Sequence, residues 1–248
     1  MLYLLSCIQR RYFDFYKTNM MLKSEILTRE KKGLHYLLDQ DNKTKKYKPW
    51  LGDSFSFLYD RIMEKSIFPK KFQGSIHNHY DILKRELGHV QDKSILEIGA
   101  GSGNAVHFLN PGNDYTGVDI SPGLLRKALQ NFISAGFQQS RFYVADATDL
   151  PFQNGAFDVV MCHLSLNFIQ PVELFIAELK RVIKRGGSFF CSVPVPEQKP
   201  PKVTIHGRLF SQEALKALFE KQGFIFEKKP YENGALIYFQ AKDPEKNE

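Results

Sequence analysis

From residue 94 onward the sequence predicts a doubly wound α/β fold. It reads as a mostly parallel sheet with helices on both faces, closed by an antiparallel C-terminal edge hairpin and preceded by a helical N-terminal extension. Three observations carry this. Short apolar runs alternate with segments of helical spacing, the pattern of strands joined by crossover helices. The first apolar run ends in three glycines at alternate positions, as a sharp strand-to-helix turn requires. Near the C-terminus two strand-like runs bracket Glu232-Asn-Gly234, a hairpin turn signal.

The elements follow in order. Residues 22–41 read as a helix, on an imperfect stripe of Leu22, Ile26, Leu34, Leu37 and Leu38, and residues 42–50 as a basic linker. Asp53 or Ser54 is placed to cap a second helix, with Phe55, Leu58, Ile62 and Met63 on its apolar face. A third helix runs from about Asn78 to Leu87, with Tyr80, Leu83 and Leu87 at helical spacing. Strands are expected at Ser94–Ile98, Tyr115–Ile120, Arg141–Asp146, Phe157–Cys162 and Ser188–Val193. Helices are expected after the glycines, from Pro122 to about Ala135, and from Leu174 to Ile183. Ser211 caps Glu213–Lys221, which ends at Gly223, and Phe224–Glu227 with Leu236–Gln240 form the hairpin. The chain thus divides into a basic arm and lid (1–74), a ligand-binding domain (75–241) and a polar tail (242–248).

Composition narrows the function. The 248 residues carry a formal charge of +7. Residues 1–90 hold 17 basic and 10 acidic side chains, and residues 91–248 hold 17 of each, so the whole excess lies in the first third. A neutral remainder argues against a nucleic-acid partner for the domain itself. No apolar run approaches the ~20 residues of a spanning helix. Cys7, Cys162 and Cys191 form no CxxC pair, which fits a reducing, cytoplasmic compartment. The apolar start is followed by Arg10-Arg11, the reverse of a signal peptide, and Met20-Met21 offers an alternative start.

The strongest chemical signal is Leu96-Glu-Ile-Gly-Ala-Gly-Ser-Gly-Asn104. Its spacing is G-x-G-x-G, with Asn104 where a dinucleotide fingerprint would continue to its third glycine. Glu97 stands two residues before the first glycine, and a carboxylate there suits an ammonium group better than a pyrophosphate. Asp119 ends the second strand, 16 residues after Gly103, where a carboxylate can accept both hydroxyls of a ribose. Asp146 ends the third, followed by Ala147, placed to accept from an adenine amine. Three acids at three consecutive strand ends line the crevice where open α/β sheets bind ligands.

Residues 94–104, 115–122, 141–163 and 180–194 resemble the motifs of the Rossmann-like S-adenosylmethionine-dependent methyltransferases, over about residues 75–241. Leu150-Pro-Phe-Gln-Asn-Gly-Ala-Phe-Asp158 is similar to a segment of the branch containing the ubiquinone and menaquinone C-methyltransferases, and Glu178–Gly187 is similar to that branch's E-x-x-R-V-L-K-P-G-G, with Arg185 in place of the proline. The resemblance implies seven strands, the last antiparallel, and S-adenosyl-L-methionine as cofactor. It implies that Gly99, Gly101 and Gly103 approach the methionine portion, that Asp119 holds the ribose, that Asp146 with Ala147 holds the adenine, and that Glu97, Ile120 and His163 complete the cofactor-binding set. Cys162–Leu166 would face the reactive methyl. Phe57–Met63 with Ser66–Pro69 resembles the segment that precedes the sheet in the same branch, which makes Tyr59 a residue able to reach cofactor or acceptor.

Candidate general bases are His163, Tyr59, His79 and His77, with His163 best placed, directly beyond the fourth strand. His77 and His79 do not share a helix face, and no acidic cluster adjoins them, so no metal is expected. Strand four leads into His163-Leu-Ser-Leu-Asn167 rather than Asn/Asp-Pro-Pro-aromatic, which argues against an exocyclic base amine as acceptor. The expected substrate is a small molecule, a quinone precursor or other lipophilic metabolite. The alternatives are a protein or RNA methyltransferase using the basic arm, or a non-catalytic binding protein. Lys43, Lys45, Lys46 and Lys48 could meet an acidic acceptor or an anionic membrane surface. The oligomeric state is left open.

Overall fold

The computed structural model describes residues 21–47 and 58–245. Nine strands form one sheet: β1 (Thr28–Lys31), β2 (Leu34–Leu37), β3 (Ser94–Ile98), β4 (Asp114–Asp119), β5 (Ser140–Val144), β6 (Phe157–His163), β7 (Ile183–Pro194), β8 (Ile225–Asn233) and β9 (Leu236–Lys242). Their spatial order is β1-β2-β5-β4-β3-β6-β7-β9-β8. The core strands β5 to β7 are parallel, and β9 pairs antiparallel with both β7 and β8, as the Asn-Gly turn predicts. Strand order reverses between β3 and β6, and the crevice at such a reversal is where α/β sheets bind ligands.

Two apolar layers cover the sheet. On one face lie α2 (Ile76–Leu87), through Ile82, Leu83 and Leu87, and α3 (Pro122–Ser134), through Leu125, Ala128 and Phe132. On the other lie α4 (Val172–Val182), through Phe175, Ile176 and Leu179, and α5 (Gln212–Lys221), through Leu215 and Phe219. Three of these helices start on a serine that accepts from a backbone N–H: Ser75 from Asn78, Ser121 from Leu124, and Ser211 from Ala214.

The largest departure from expectation is residues 22–41, which form a hairpin rather than a helix. Lys32 and Gly33 both take positive φ (54° and 75°), the backbone of a two-residue primed turn. β2 then pairs in parallel with β5, and His35 stacks on Tyr143 with ring centroids 4.7 Å apart. The leucine stripe is equally usable in either structure, and pairing with the sheet edge decides it. The hairpin adds two strands to the seven expected. The described part of the basic linker is also structured. Thr44 bridges to Leu38, Lys45 pairs with Asp149 at 3.3 Å, and Lys43 with Asp41 at 3.4 Å.

Asp53, Ser54 and Phe55 lie outside the described residues, as do Cys7, Lys48 and residues 1–20. The second helix is described from α1 (Tyr59–Ile62) and winds on as a π-helix over Met63–Phe72, burying Phe68 and Phe72. After the glycines there is a single 3-10 turn, Asn104–His107, rather than the expected helix, and the chain leaves helical geometry at Phe108, before Pro111. At the other end β9 runs through Lys242, and the buried Asp243 pairs with Lys180, so the polar tail begins later than expected.

The segment before β6 is held by one cation. Arg181 donates to the carbonyls of Phe152 at 2.5 Å and Leu150 at 3.0 Å, and grips Glu178 through Nε and Nη2 at 2.7 Å each. Glu178 in turn accepts from the Leu150 N–H at 2.7 Å. Burial opposes ionisation of Glu178, but Arg181 and the Leu150 amide hold its carboxyl below the usual carboxylate range. Arg181→Ala would strip two carbonyls and a carboxylate of their partner, and should cost about 2–3 kcal/mol in urea denaturation. Arg181→Lys should recover less than half of that loss, because an ammonium lacks the planar fork.

Candidate functional site

Because β3, β4 and β5 run parallel side by side, their C-terminal ends bring Glu97, Asp119 and Asp146 to one edge of the sheet. Side chains alternate along a strand. Ile95 packs into the α2–α3 layer, while Leu96 and Ile98 pack into the opposite one, so Glu97 shares the α2–α3 face. On β6 the same alternation puts Met161 and His163 on that face, and the register continues to Ser192 on β7 and Tyr238 on β9.

Two cavities meet here. The outer one, about 200 Å³, is bordered by Asp119, Ile120, Asp146 and Ala147. The inner one, about 50 Å³, lies against Glu97, His79 and His163. Tyr59, Gly99, Gly101, Leu164 and Ser165 line both, so the glycine turn is their junction. Gly99 has φ +71°, and a Cβ there would run into the Ser165 side chain. The loop after β6 can close on the turn only because residue 99 has no side chain.

The acids differ in their surroundings. Asp119 accepts from Gly101 N–H at 3.0 Å and Ser121 N–H at 2.8 Å, which fastens the glycine turn to the start of α3. Asp146 Oδ1 accepts from the N–H and hydroxyl of Thr148 at 2.8 and 2.7 Å. Glu97 is buried at 6% exposure and accepts from the Tyr115 hydroxyl. Burial, reinforced by the Asp119 charge and partly offset by Tyr115, pushes the Glu97 carboxyl up to about 8.

Among the candidate bases, Tyr59, His79 and His163 come together around the inner cavity, while His77 is exposed and lines neither cavity. His79 Nδ1 lies 2.9 Å from the Tyr238 hydroxyl, which also accepts from Asn233 Nδ2 at 3.0 Å, and burial lowers His79 to about 3. His163 Nδ1 lies 3.1 Å from Ser192 Oγ, and its Nε2 is sealed from solvent with no partner. Burial, with a contribution from His79, holds His163 well below the usual imidazole range. Burial and the charges of Asp119 and Asp60 raise the Tyr59 phenol well above its ordinary value.

The sequence singles out none of three further residues at the site, although Asp60 lies within Phe57–Met63 and Ser165 within Cys162–Leu166. Asp60 accepts from Ser102 Oγ at 2.5 Å and pairs with Lys127 Nζ at 2.6 Å, clamping α1 to the glycine turn and to α3. Ser165 closes on Gly99. Tyr47 lies beside Asp146, and burial with the charges of Asp146 and Asp149 pushes its phenol up to about 12.

Residues 96–191 match a family model described as a methyltransferase domain. An uncharacterised methyltransferase of Synechocystis is 30% identical over 168 residues, covering 60% of this chain and 76% of that protein. The chain belongs to the S-adenosylmethionine-dependent methyltransferases. A demethylmenaquinone methyltransferase of Thermus thermophilus is 34% identical over 113 residues, 44% of this methyltransferase, which thus spans half the length of that relative. The crystal structure of YcgJ from Bacillus subtilis superposes with a TM-score of 0.58 at 16% identity, over 68% of this chain and 100% of that one, a likeness of fold. Among the described residues of this methyltransferase no helix is long and apolar enough to cross a membrane.

Proposed function

We propose that this methyltransferase passes a methyl group to a small-molecule acceptor, a quinone precursor or another lipophilic metabolite. One observation carries the reading: Glu97, Asp119 and Asp146 end three adjacent strands and border two cavities that join at Gly99 and Gly101. The donor set fits an adenosyl amino acid. Glu97 is a buried carboxyl with room for an ammonium, Asp119 is a carboxylate at the outer cavity of the kind that accepts ribose hydroxyls, and Asp146 with Ala147 and Ile120 offers an acceptor between apolar walls for adenine. Gly99 and Gly101, which line both cavities, let the backbone come close to the amino-acid end, whereas Gly103 lines neither and packs against Ala128 of α3. The name of the Thermus relative supports a quinone-type acceptor.

S-adenosylmethionine, when bound, supplies a methyl made electrophilic by its positively charged sulfur. The chain's own share is to bind, orient and exclude water, which is worth several kcal/mol of barrier. Tyr59, at the junction of the cavities, covers the glycine turn, and Asp60 keeps it there through Ser102 and Lys127. Neither histidine of the inner cavity carries charge at neutral pH, so neither repels a cationic donor.

Calorimetry tests the site. Asp119→Ala removes the turn's anchor and the ribose acceptor together, and should weaken S-adenosylhomocysteine binding by about 30-fold or more, roughly 2 kcal/mol. Asp146→Ala should cost about 10-fold, and the exposed Lys216→Ala nothing. Unchanged affinity in both aspartate variants would remove the assignment.

A further inference from the structure

We infer that the inner cavity receives an uncharged hydroxyl of the methyl acceptor, an alcohol, enol or phenol, at Nε2 of His163. This rests on the cofactor reading above and adds the acceptor's chemistry to it.

The first ground is an orphaned atom. His163 Nε2 is buried and unpartnered on a residue that lines the inner cavity, and buried polar atoms are as a rule satisfied. Among the described residues the other two such atoms, Thr116 Oγ1 and Asn167 Oδ1, belong to residues that line neither cavity. Nor is the imidazole idle packing, because Ser192 holds it at Nδ1 and holds the backbone of the next residue, Leu164, beside it. The Ser192 hydroxyl meets Nδ1 at 3.1 Å, and the Ser192 carbonyl accepts from Leu164 N–H at 2.8 Å. Leu164 sits in the left-handed region at φ +59°, a costly backbone for leucine, directly between His163 and the junction of the two cavities.

The second ground is the match of ligand to site. If Ser192 donates to Nδ1, Nε2 carries the proton and must donate. If Nδ1 donates to Ser192, Nε2 must accept. A hydroxyl serves either tautomer, whereas an ammonium only donates and a carboxylate or phosphate only accepts. An anion would also enter beside Glu97, in a cavity whose lining among the described residues includes no lysine or arginine. Met63, Phe68, Ile76, Leu83 and Phe108 give the wall an apolar side, which can take an apolar body behind the hydroxyl, while Tyr80, Ser102 and Asn104 make the rest of it polar. At about 50 Å³ the cavity admits the hydroxyl and the atoms next to it, with the rest of the acceptor passing between Tyr59 and Leu164.

The test is ¹⁵N-histidine NMR on the full chain, with S-adenosylhomocysteine as donor analogue and phenol as probe. Calorimetry first checks that S-adenosylhomocysteine binds; if it does not, the cofactor reading fails and takes this inference with it. With it bound, phenol should move the His163 Nε2 resonance, identified by its loss in His163→Phe, and benzoate should not. Phenol affinity should fall at least tenfold in His163→Phe, and His163→Gln, which keeps a polar amide, should recover part of it. Affinity for S-adenosylhomocysteine should stay within twofold in both variants. A shift produced by S-adenosylhomocysteine alone would give the atom to the donor. A shift with benzoate but not phenol, or none with saturating phenol, would overturn the acceptor class while leaving the cofactor reading intact.

Discussion

Alanine at position 103 is expected to destabilise the protein by about 2–5 kcal/mol, the combined scale of overpacking and left-handed strain. Gly103 has φ +81°, and an added Cβ would stand 2.7 Å from Ala128 Cα and 2.8 Å from Ala128 Cβ. Those atoms belong to the body of α3, so no side-chain rotation relieves the clash and the helix itself must retreat. Gly136 supplies the control. Its φ is also +81°, but a Cβ there would meet nothing within 4 Å. Gly136→Ala therefore reports backbone strain alone, about 1–2 kcal/mol, and the difference between the variants isolates the contact of α3 with the glycine turn. Equal urea midpoints would show that this contact carries no energy. The same contact positions Ser121, Asp119 and the turn relative to one another, so Gly103→Ala should also weaken S-adenosylhomocysteine binding and Gly136→Ala should not.

That comparison bears on what the sequence could disclose. The glycines, the three acids and the parallel core were legible because each is a local pattern: a strand of alternating or wholly apolar residues, then residues with an unusual backbone or charge. Residues 22–41 were not legible, because their leucines satisfy helix and hairpin alike and the choice depends on His35 and Tyr36 meeting β5 more than a hundred positions away. The same holds within the site. Histidines 79 and 163 could be picked out as candidates by position. Their states follow from Tyr238 and Ser192, which lie 159 and 29 residues distant and share a sheet face with Glu97 through register alone. Asp60 looks like an ordinary surface acid until Ser102 and Lys127 converge on it. Sequence pattern specifies which residue types reach the crevice; partners brought from remote strands specify their charge and tautomer.

Glu97→Gln should change both the stability and the binding of the protein through one proton. The folded carboxyl is raised to about 8 from an ordinary 4.5, chiefly by burial. Between those values the folded state holds a proton that the unfolded state has lost, so stability falls as pH rises through that window and levels off above it. The total decline is on the order of a few kcal/mol. Glutamine keeps the shape, stays neutral and can still accept from Tyr115, so the variant should lose most of the slope between pH 5 and pH 8 and become the more stable protein at pH 8.5. Binding runs the other way. An ammonium placed at Glu97 favours the carboxylate, so S-adenosylhomocysteine binding at pH 7 should release close to one proton, seen as a heat that varies with the ionisation enthalpy of the buffer. In Glu97→Gln that release should vanish and affinity should fall by about 100-fold, the worth of a charge-assisted bond in a buried site. At pH 9 the wild-type carboxylate is already ionised, so its proton release should nearly disappear while its affinity advantage over the variant widens by about tenfold, because binding no longer has to deprotonate it. Equal proton release by wild type and variant at pH 7 would move the ammonium elsewhere, and Glu97 would then be a buried acid retained only for its bond with Tyr115.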